Sequence, residues 1–415
     1  MKRFRPPSAE TWFAELAAGG AALDLSPQAL AKLAELHAAL FEIWNLGDNV
    51  VLAWAQGPGE LLFVSVRHYA IPDSMHGAGA GGKLCDTAFI NSVLSGPKHL
   101  GAAAFAQVCK AFGTTPHAVP IDLSVEDEGV AAVISDMVRR YGVSLVRNRA
   151  VVLIDMVSFS LQTPLDQMAM LNSLAYSVNS AYAQLLSKDI RIDFARTTTG
   201  DGFYIWNRAT TPQASTELYK LMIMLLADNA VARSKARSSW VPKLRAAFHV
   251  GEHYEFHQVE GLNPTDFSYI VGQVTVDLAR MAEHALSGQI VLGDFVTPLG
   301  TGADGPAVAC DTADFVENAA ATLDPLNGLD ISGGRISNIR CYLTGRSGGM
   351  GGYMVNRYCL RDKHGAERIV YNAKINIHRE GRDPIFLGIQ NEALWSFDAA
   401  QIEPLVRTAG SGESR

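Results

Sequence analysis

Two aspartates lie where predicted β-strands end, and they are the best candidates in the chain for chemistry. Asp155 closes the apolar run VVLID, and Asp201 lies between two glycines in the run IDFARTTTGDGFYIW. An Asp-Gly pair between strand-like runs is a strong hairpin signal, so the sequence predicts that Asp201 lies at a hairpin tip. Carboxylate oxygens suit hard cations such as Mg²⁺ and Mn²⁺. We therefore expect the two side chains to hold metal ions.

The elements around these aspartates follow a β-α-β-β-α-β order. The sequence predicts a strand at 150–155, a helix at 165–186, the hairpin at 192–206 and a helix at 216–235. After them it predicts a strand at 244–251, a further strand and loop to 269, a helix at 274–285 and a strand at 289–293. This order is the ferredoxin-like pattern of an α+β protein. In that fold both aspartates close strands at the same edge of one sheet.

The segment before residue 146 is predicted to be helical and mixed. Ser26 and Pro27 predict a helix start, and the apolar stripe that follows predicts a face toward a core or a dimer partner. Strands at 50–54 and 61–69 and helices near 90–112 and 126–141 are predicted after it. The run HGAGAGGKL at 76–84 resembles a phosphate-binding loop, but Leu84 replaces the hydroxyl that would bind Mg²⁺. It is interpreted as a plain loop.

The composition and the residue pattern of the chain change twice after residue 295. Residues 296–330 are rich in Gly, Ala, Asp and Pro and predict a linker, whereas alternating runs from Arg335 onward predict four strands of a small sandwich or barrel. The expected domains are a mixed N-terminal domain at 1–145, a catalytic domain at 146–300, a linker at 301–330, an all-β sensor-like domain at 331–397 and a tail at 398–415.

Composition excludes several classes of function. The chain has 415 residues, enough for two or three domains, and a net charge of −7 with no basic run beyond MKRFR. Binding to nucleic acid or to an anionic membrane is therefore not expected. No apolar run is long enough to span a bilayer and no signal peptide is recognisable, so a cytoplasmic location is expected. The five cysteines are scattered without a CxxC pair, which favours reduced thiols over disulfides or a zinc site.

Four motifs in the middle segment resemble the catalytic domains of class III nucleotidyl cyclases. They are IDMVSFS at 154–160, TGDGF at 199–203, LRAAFHVGEHY at 244–254 and YIVGQVTVDLARM at 269–281. The resemblance implies that a ribose 3′-oxygen attacks the α-phosphorus of a nucleoside triphosphate and that pyrophosphate leaves. It also implies two Mg²⁺ or Mn²⁺ ions per active site, because this chemistry depends on positioning and on charge neutralisation.

The resemblance assigns a role to each matching residue. Asp155, Met156 and Asp201 match the metal site, and backbone N–H groups from Met156 to Phe159 would cradle phosphates. Arg245 matches a phosphate-contacting arginine, and Arg280 matches the arginine that contacts the α-phosphate in the transition state. The aspartates and this last arginine come from different protomers in the family. The resemblance therefore implies a head-to-tail homodimer with two composite active sites.

Three positions depart from the family pattern. Ser158 stands where glycine is usual, and Val276 stands where the family has a transition-state asparagine, with Asp277 beside it as a possible substitute. The family's late phosphate-binding lysine has no counterpart, because no lysine occurs between Lys243 and Lys363.

The base-reading positions correspond to Thr197 and Tyr269, and this pair matches neither the adenylate nor the guanylate pattern. Tyrosine fills space that the second ring of a purine would need, and both hydroxyls can satisfy a pyrimidine. Arg196 is adjacent to Thr197, but strand alternation predicts that it points to the opposite face. The pattern resembles pyrimidine cyclases of bacterial Pycsar-type anti-phage systems.

That resemblance implies conversion of UTP, or secondarily CTP, to a cyclic monophosphate that a separate cyclic-nucleotide-binding effector reads. Three alternatives stay open: an adenylate or guanylate cyclase, a non-catalytic nucleotide-binding regulator, and a polymerase-like palm enzyme.

Overall fold

A computed structural model describes residues 25–76, 86–121, 123, 128–209, 211, 213–236, 240–260, 265–300, 307–347 and 353–407. The chain divides into two compact units. The first unit comprises Met1–Arg147 and His253–Val271, and the second comprises Asn148–Glu252 and Gly272–Arg415. The predicted loop at 76–84 lies outside the described residues except for His76, and so do residues 1–24.

The first unit is built on a small antiparallel sheet with helices around it. Its helices are α1 Pro27–Trp44, α2 Ala70–His76, α3 Thr87–Ser95, α4 Ala102–Phe112 and α5 Glu128–Arg140, and its sheet has the order β1 Asn49–Gly57, β2 Glu60–Arg67 and β3 His117–Val119. Helix α1 begins as predicted, because the Ser26 side chain accepts a hydrogen bond from the Ala29 N–H at 3.1 Å. Its apolar stripe faces a core, with these residues buried: Leu33, Leu36, Leu40, Phe41 and Trp44.

The single helical stretch predicted at about 90–112 is wrong, because two helices form there. Helix α3 ends at Ser95 and α4 begins at Ala102. Gly96 is extended, and Pro97 follows it. Proline disfavours the helical conformation in the residue before it and cannot donate to the helix, so the chain must leave the helix at this point.

The second unit contains the sheet around the candidate site. Its first elements are β4 Val143–Met156, which begins in the first unit's range, α6 Pro164–Leu186, β5 Phe194–Thr198, β6 Gly202–Asn207, α7 Ala214–Lys235, β7 Leu244–Glu260, α8 Gln273–His284 and β9 Ile290–Gly293. The strands lie in the order β9–β7–β4–β6–β5. Within it, β7–β4–β6–β5 is the ferredoxin-like arrangement, and β9 adds a strand parallel to β7. The α+β prediction is confirmed.

The alternation of residues along these strands separates the face that packs on α6 and α7 from a second face. We call this second face the open face because α6 and α7 do not cover it, although Val151, Leu153 and Trp206 on it are buried. Val152, Ile154 and Ile205 belong to a buried cluster with apolar residues of α6 and α7, among them Leu174 and Leu218. Since neighbouring residues on a strand point to opposite faces, Leu153 and Asp155 lie on the other side of the sheet. The candidate site is therefore on the face that α6 and α7 leave free.

The end of the long β7 strand belongs to the first unit. It forms a hairpin there with β8 Thr265–Val271, in which Phe256 lies opposite Tyr269. This is the further strand that the sequence predicts up to residue 269.

The prediction of a linker at 296–330 is wrong. Strands β10 Val296–Gly300 and β11 Ala307–Asp311 pair in an antiparallel hairpin, and helix α9 Thr312–Ala321 follows. The Asp311 side chain caps α9 by accepting from the Asp314 N–H at 2.8 Å. Phe315 and Val316 are buried in the main core. The small and acidic residues that resembled a linker therefore form a capped helix with one apolar side.

The C-terminal segment is all-β, as predicted, but its strands continue the central sheet rather than closing a separate sandwich or barrel. They are β12 Ile336–Leu343, β13 Gly345–Ser347, β14 Tyr353–Arg361, β15 Glu367–Arg379, β16 Arg382–Leu387 and β17 Ala400–Arg407. The long strand β15 pairs with β9 through residues 370–373. The predicted tail at 398–415 is also corrected, because β17 pairs with β14.

No helix in the described part of the chain combines the length and apolarity that crossing a membrane requires.

We predict that acid weakens the first unit through His37. This side chain is 1% exposed, and its Nε2 lies 2.9 Å from the Tyr141 hydroxyl oxygen. Burial, followed by the Arg140 charge, lowers the pKa of His37 from 6.5 to about 4. The unfolded chain binds a proton at this imidazole more readily than the folded chain does. The stability that the neutral His37 side chain contributes is therefore present above pH 6.5 and is lost as the pH falls toward 4.

The expected loss is about 2 kcal/mol of unfolding free energy between about pH 7 and about pH 5. Denaturant titrations of the full chain at both pH values would measure it. The variant His37→Gln keeps an acceptor for Tyr141 but does not titrate, so it should lose less. An equal loss in both proteins would contradict the assignment.

Candidate active site

Strands β4 and β6 bring the two predicted metal ligands together. In their antiparallel pairing Asp155 lies opposite Gly202, and the Met156 N–H donates to the carbonyl oxygen of Asp201 at 2.9 Å. A Cβ atom on Gly202 would lie 2.0 Å from the carbonyl oxygen of Ile154. Only glycine therefore allows β6 to approach β4 this closely, and this approach places Asp201 beside Asp155.

The hairpin that carries Asp201 is formed as predicted and is held by its own polar groups. Gly200 has a φ of +96°, which glycine adopts without strain. Its N–H donates to the Thr198 hydroxyl at 3.0 Å, and the Thr199 N–H donates to the carbonyl of Gly202 at 3.0 Å. The Thr199 hydroxyl donates to Oδ1 of Asp201 at 3.3 Å. The turn therefore orients the carboxylate as well as reversing the chain.

The electrostatics around Asp155 fit a cation. The residue is 7% exposed, and burial is the main cause that raises its pKa. Arg245 acts in the opposite direction, while the nearby Asp201 carboxylate raises the pKa further. Two carboxylates held in repulsive contact are stabilised when a divalent ion binds between them. The residues present therefore fit the predicted metal site.

The donor set of this site is small. The part of the chain that the structure describes contains no group of three or more His, Cys, Asp or Glu side chains that could hold a metal. Asp155 and Asp201 would need further oxygen ligands, which a backbone carbonyl such as that of Met156 or the phosphates of a substrate can supply.

Arg245 lies on β7 and contacts Asp155 directly. Its Nε donates to Oδ2 of Asp155 at 2.5 Å, and its Nη1 donates to the carbonyl oxygens of Ala285 at 3.1 Å and Glu283 at 3.4 Å. The guanidinium thus joins the first predicted metal ligand to the C-terminal end of α8. To make the predicted phosphate contact, the Arg245 guanidinium would have to bind a phosphate while it stays paired with Asp155.

Fewer backbone N–H groups are available to bind a phosphate than the motif suggests. The N–H of Met156 donates to Asp201 and the N–H of Val157 donates to Lys243, so neither is free for a phosphate. Within the described residues, the N–H groups of Ser158 and Phe159 make no backbone hydrogen bond. The predicted phosphate cradle is therefore corrected to these two groups, at the start of a 3₁₀ turn Phe159–Leu161.

Ser158 has a left-handed conformation, with a φ of 59°. Glycine adopts this conformation at the lowest cost. Serine therefore occupies this position only with some backbone strain.

Thr197 shares the open face of the sheet with Asp155. It lies opposite Tyr204 across the β5–β6 pair, and Tyr204 lies opposite Leu153 across the β4–β6 pair. Residues directly opposite in a sheet point to the same face. Arg196 points to the other face, where its guanidinium carbon lies 5.0 Å from the centre of the Phe203 ring. The predicted orientation of Arg196 is therefore confirmed.

Tyr204 is a member of the site that the motifs do not indicate. Burial, followed by the Asp155 charge, raises the pKa of its phenol. The hydroxyl donates to the carbonyl oxygen of Thr275 at 3.0 Å, in the first turn of α8. Strand alternation in GFYIW places Tyr204 on the face of Asp155, so this pattern could have revealed it.

The remaining predicted residues lie on other elements, where they have the following surroundings. Arg280 is on α8, where its Nη1 donates to Oε2 of Glu283 at 2.8 Å. Tyr269 belongs to the first unit, where its ring stacks on Phe256 with the ring centres 5.8 Å apart. Val276 is 47% exposed on α8. The roles of Arg280 and Tyr269 in catalysis and base reading stay predictions.

We predict that Asp201→Asn has opposite effects with and without metal. Without metal, the variant removes repulsion at Asp155 and should gain up to about 1 kcal/mol of stability. With Mn²⁺ at about 100 times its Kd, the wild-type protein should gain about 2.7 kcal/mol and the variant much less. Thermal unfolding in EDTA and in Mn²⁺ measures both effects.

Asp193→Asn is a suitable control, because Asp193 pairs with Arg208 at 2.9 Å on the same strand pair but is not in the site. An equal Mn²⁺ shift in wild type and Asp201→Asn would show that the metal binds elsewhere.

Comparison with known proteins finds distant structural likenesses. No protein-family model and no curated protein matches the chain. The guanylyl cyclase Cya2 has 9% identity, a TM-score of 0.31, and coverage of 55% of this chain and 92% of its own. The guanylate cyclase domain of RhGC from Catenaria anguillulae, in complex with GTP, has 11% identity, a TM-score of 0.32, and coverage of 57% and 98%.

The adenylyl cyclase CyaB from P. aeruginosa has 11% identity, a TM-score of 0.32, and coverage of 58% of this chain and 98% of its own. Likenesses with TM-scores and identities this low carry no argument about function. The functional interpretation of this chain depends on its own residues and their geometry.

Proposed function

We propose that the protein is a nucleotidyl cyclase that converts UTP, with CTP as the second candidate, to the 3′,5′-cyclic monophosphate and pyrophosphate. One observation carries this proposal. The end of β4 and the β5–β6 hairpin hold the carboxylates of Asp155 and Asp201 in repulsive contact on the open face of the sheet. A like-charge contact of this kind is retained where it serves a cation and its anionic ligand.

The reaction makes one bond and breaks one. The ribose 3′-oxygen bonds to the α-phosphorus, the bond from that phosphorus to the leaving pyrophosphate oxygen breaks, and the hydroxyl proton is released to solvent. Two bound Mg²⁺ or Mn²⁺ ions per active site would supply charge neutralisation and would acidify the 3′-hydroxyl. Asp155, Asp201 and the backbone of Met156 would hold them.

Other groups of the chain would orient the substrate. The N–H groups of Ser158 and Phe159 would donate to phosphate oxygens, at a turn that leads into α6. Arg245 would share its guanidinium between Asp155 and a phosphate. Arg280 from a second copy of the chain would contact the α-phosphate, so the proposed active form is a homodimer with composite sites.

The proposed base preference depends on Thr197 and Tyr269. A tyrosine at the position of a small acidic residue would occupy the volume of a purine's second ring, and both hydroxyls can donate to or accept from a pyrimidine. We also propose, from the same resemblance, a cytoplasmic enzyme of anti-phage defence whose product is read by a separate cyclic-nucleotide-binding effector.

A second candidate function is a nucleotide-binding regulator without catalysis. The ion pair between Arg245 and Asp155 favours it, because this arginine already neutralises a predicted metal ligand. The apolar Val276, at the position of a transition-state asparagine, favours it as well. Such a regulator would bind a nucleotide and leave it unchanged.

The decisive measurement is incubation with each of the four nucleoside triphosphates and Mn²⁺, with products resolved by mass. We expect cyclic UMP and pyrophosphate as the dominant products, and loss of product in Asp155→Asn and Asp201→Asn. If cyclic AMP or cyclic GMP were the dominant product, the proposed pyrimidine preference would be rejected, but the proposed cyclase activity would stand. Linear or dinucleotide products would indicate a palm-like enzyme, and nucleotide binding without product would favour the regulator.

The base preference has a sharper test of its own. The double variant Thr197→Lys, Tyr269→Asp installs the pair of the resembling adenylate cyclases, so its product should shift toward cyclic AMP. The variant Arg196→Lys is the matched control, because Arg196 points to the other face of the same strand. An unchanged product pattern in the double variant would reject these two residues as base readers.

A further inference from the structure

A partly buried ion-pair network joins α8 to the C-terminal strands of the second unit. Oδ1 of Asp277, in the middle of α8, accepts from Nε of Arg368 on β15. The other end of the Arg368 guanidinium donates from Nη1 to Oδ2 of Asp362 at 3.0 Å. The exposed fractions of these three side chains are 15%, 14% and 8%. One guanidinium therefore bridges two carboxylates in a setting that is partly shielded from water.

Asp277 is also fixed from within its own helix and from the sheet. Nε2 of Gln273, one turn earlier, donates to Oδ1 of Asp277 at 2.8 Å. Nε2 of His249 on β7 lies 3.8 Å from the other carboxylate oxygen. Asp277 is thus held through Oδ1, by Gln273 of its own helix and by Arg368 of β15.

The arginine is itself held in place by the turn between β14 and β15. Oδ1 of Asp362 accepts from the N–H groups of His364 at 2.8 Å and Ala366 at 3.0 Å. Although desolvation acts in the opposite direction, these bonds and Arg368 lower the pKa of Asp362 to about 2. The turn therefore presents a carboxylate that is charged at neutral pH and that orients the Arg368 guanidinium toward α8.

We infer that Arg368 is a positioning residue for catalysis: it fixes helix α8, through Asp277, in the orientation from which Arg280 reaches the substrate. This inference rests on the proposed cyclase function. Arg280 follows Asp277 by three residues, so both side chains lie on neighbouring parts of the same helical surface. A tilt or rotation of α8 at Asp277 would displace Arg280 directly.

The inference gives the C-terminal strands a role in the active site. Strand β15 is hydrogen-bonded to β9, which directly follows α8 in the chain, and Arg368 lies next to the paired residues of β15. The C-terminal segment thus contacts α8 through a specific charge pair, and a guanidinium held by two carboxylates fixes direction as well as distance.

The test compares Arg368→Gln with Arg361→Gln. Arg361 lies on β14 and pairs with Glu367 on the same strand pair, but these side chains are 71% and 54% exposed. The variant Arg361→Gln therefore removes an exposed ion pair and is the matched control. Arg368→Lys keeps the charge but loses the planar fork, and it serves if Arg368→Gln does not fold.

Two readouts decide the inference. Amide hydrogen exchange in residues 273–284 should accelerate at least about tenfold in Arg368→Gln or Arg368→Lys and stay unchanged in Arg361→Gln. With the nucleotide that wild type turns over, kcat should fall about 10–100-fold while KM changes little, since Arg280 is expected to act in the transition state.

Unchanged exchange in α8 of the Arg368 variants would overturn the inference, and so would faster exchange with an unchanged kcat. A wild-type protein that makes no cyclic product would refute the proposed function. In that case the exchange experiment would still decide whether Arg368 fixes α8. The claim that Arg368 positions Arg280 for catalysis would be refuted together with the proposed function.

Discussion

The close approach of Asp155 and Asp201 is the constraint on which the candidate site depends. Their carboxylates are brought together because Gly202 lets β6 approach β4 at the level of Ile154. This arrangement is unfavourable by itself, since one of the two carboxylates is also buried. The apolar core between the sheet and helices α6 and α7 stabilises the unit, and the opposite face is then available for a site whose groups are not at their electrostatic optimum.

Helix α8 is the second element on which the proposed chemistry depends, and it is held at three levels. The Tyr204 hydroxyl contacts the carbonyl of Thr275 in its first turn. Arg368 contacts Asp277 in its middle, and Arg245 contacts the carbonyl oxygens at its C-terminal end. All three side chains belong to the sheet that carries the aspartate pair. The position of α8 is therefore coupled to the geometry of the candidate metal site.

Local patterns were sufficient to predict many of the elements. The helix start at Ser26, the hairpin around Gly200 and the alternation that separates Arg196 from Thr197 all depend on a few neighbouring residues. Predictions failed where the partner was distant in the chain. The composition of residues 296–330 is typical of a linker, but the described residues of this segment form a hairpin and a helix that pack on the core, and residues 400–407 pair with β14. The break at Gly96 was missed although proline follows it.

The sequence by itself determined which side chains could do chemistry and, through strand alternation, which of them share a face. Only the tertiary structure decided their partners. Arg245 is bound to Asp155, 90 residues away in the chain, and Arg368 is bound to Asp277, 91 residues away. No local periodicity carries such information, because the pairing of a charged group depends on which strands become neighbours. The same reason explains why the contact of Arg368 with α8 emerged only from the folded chain.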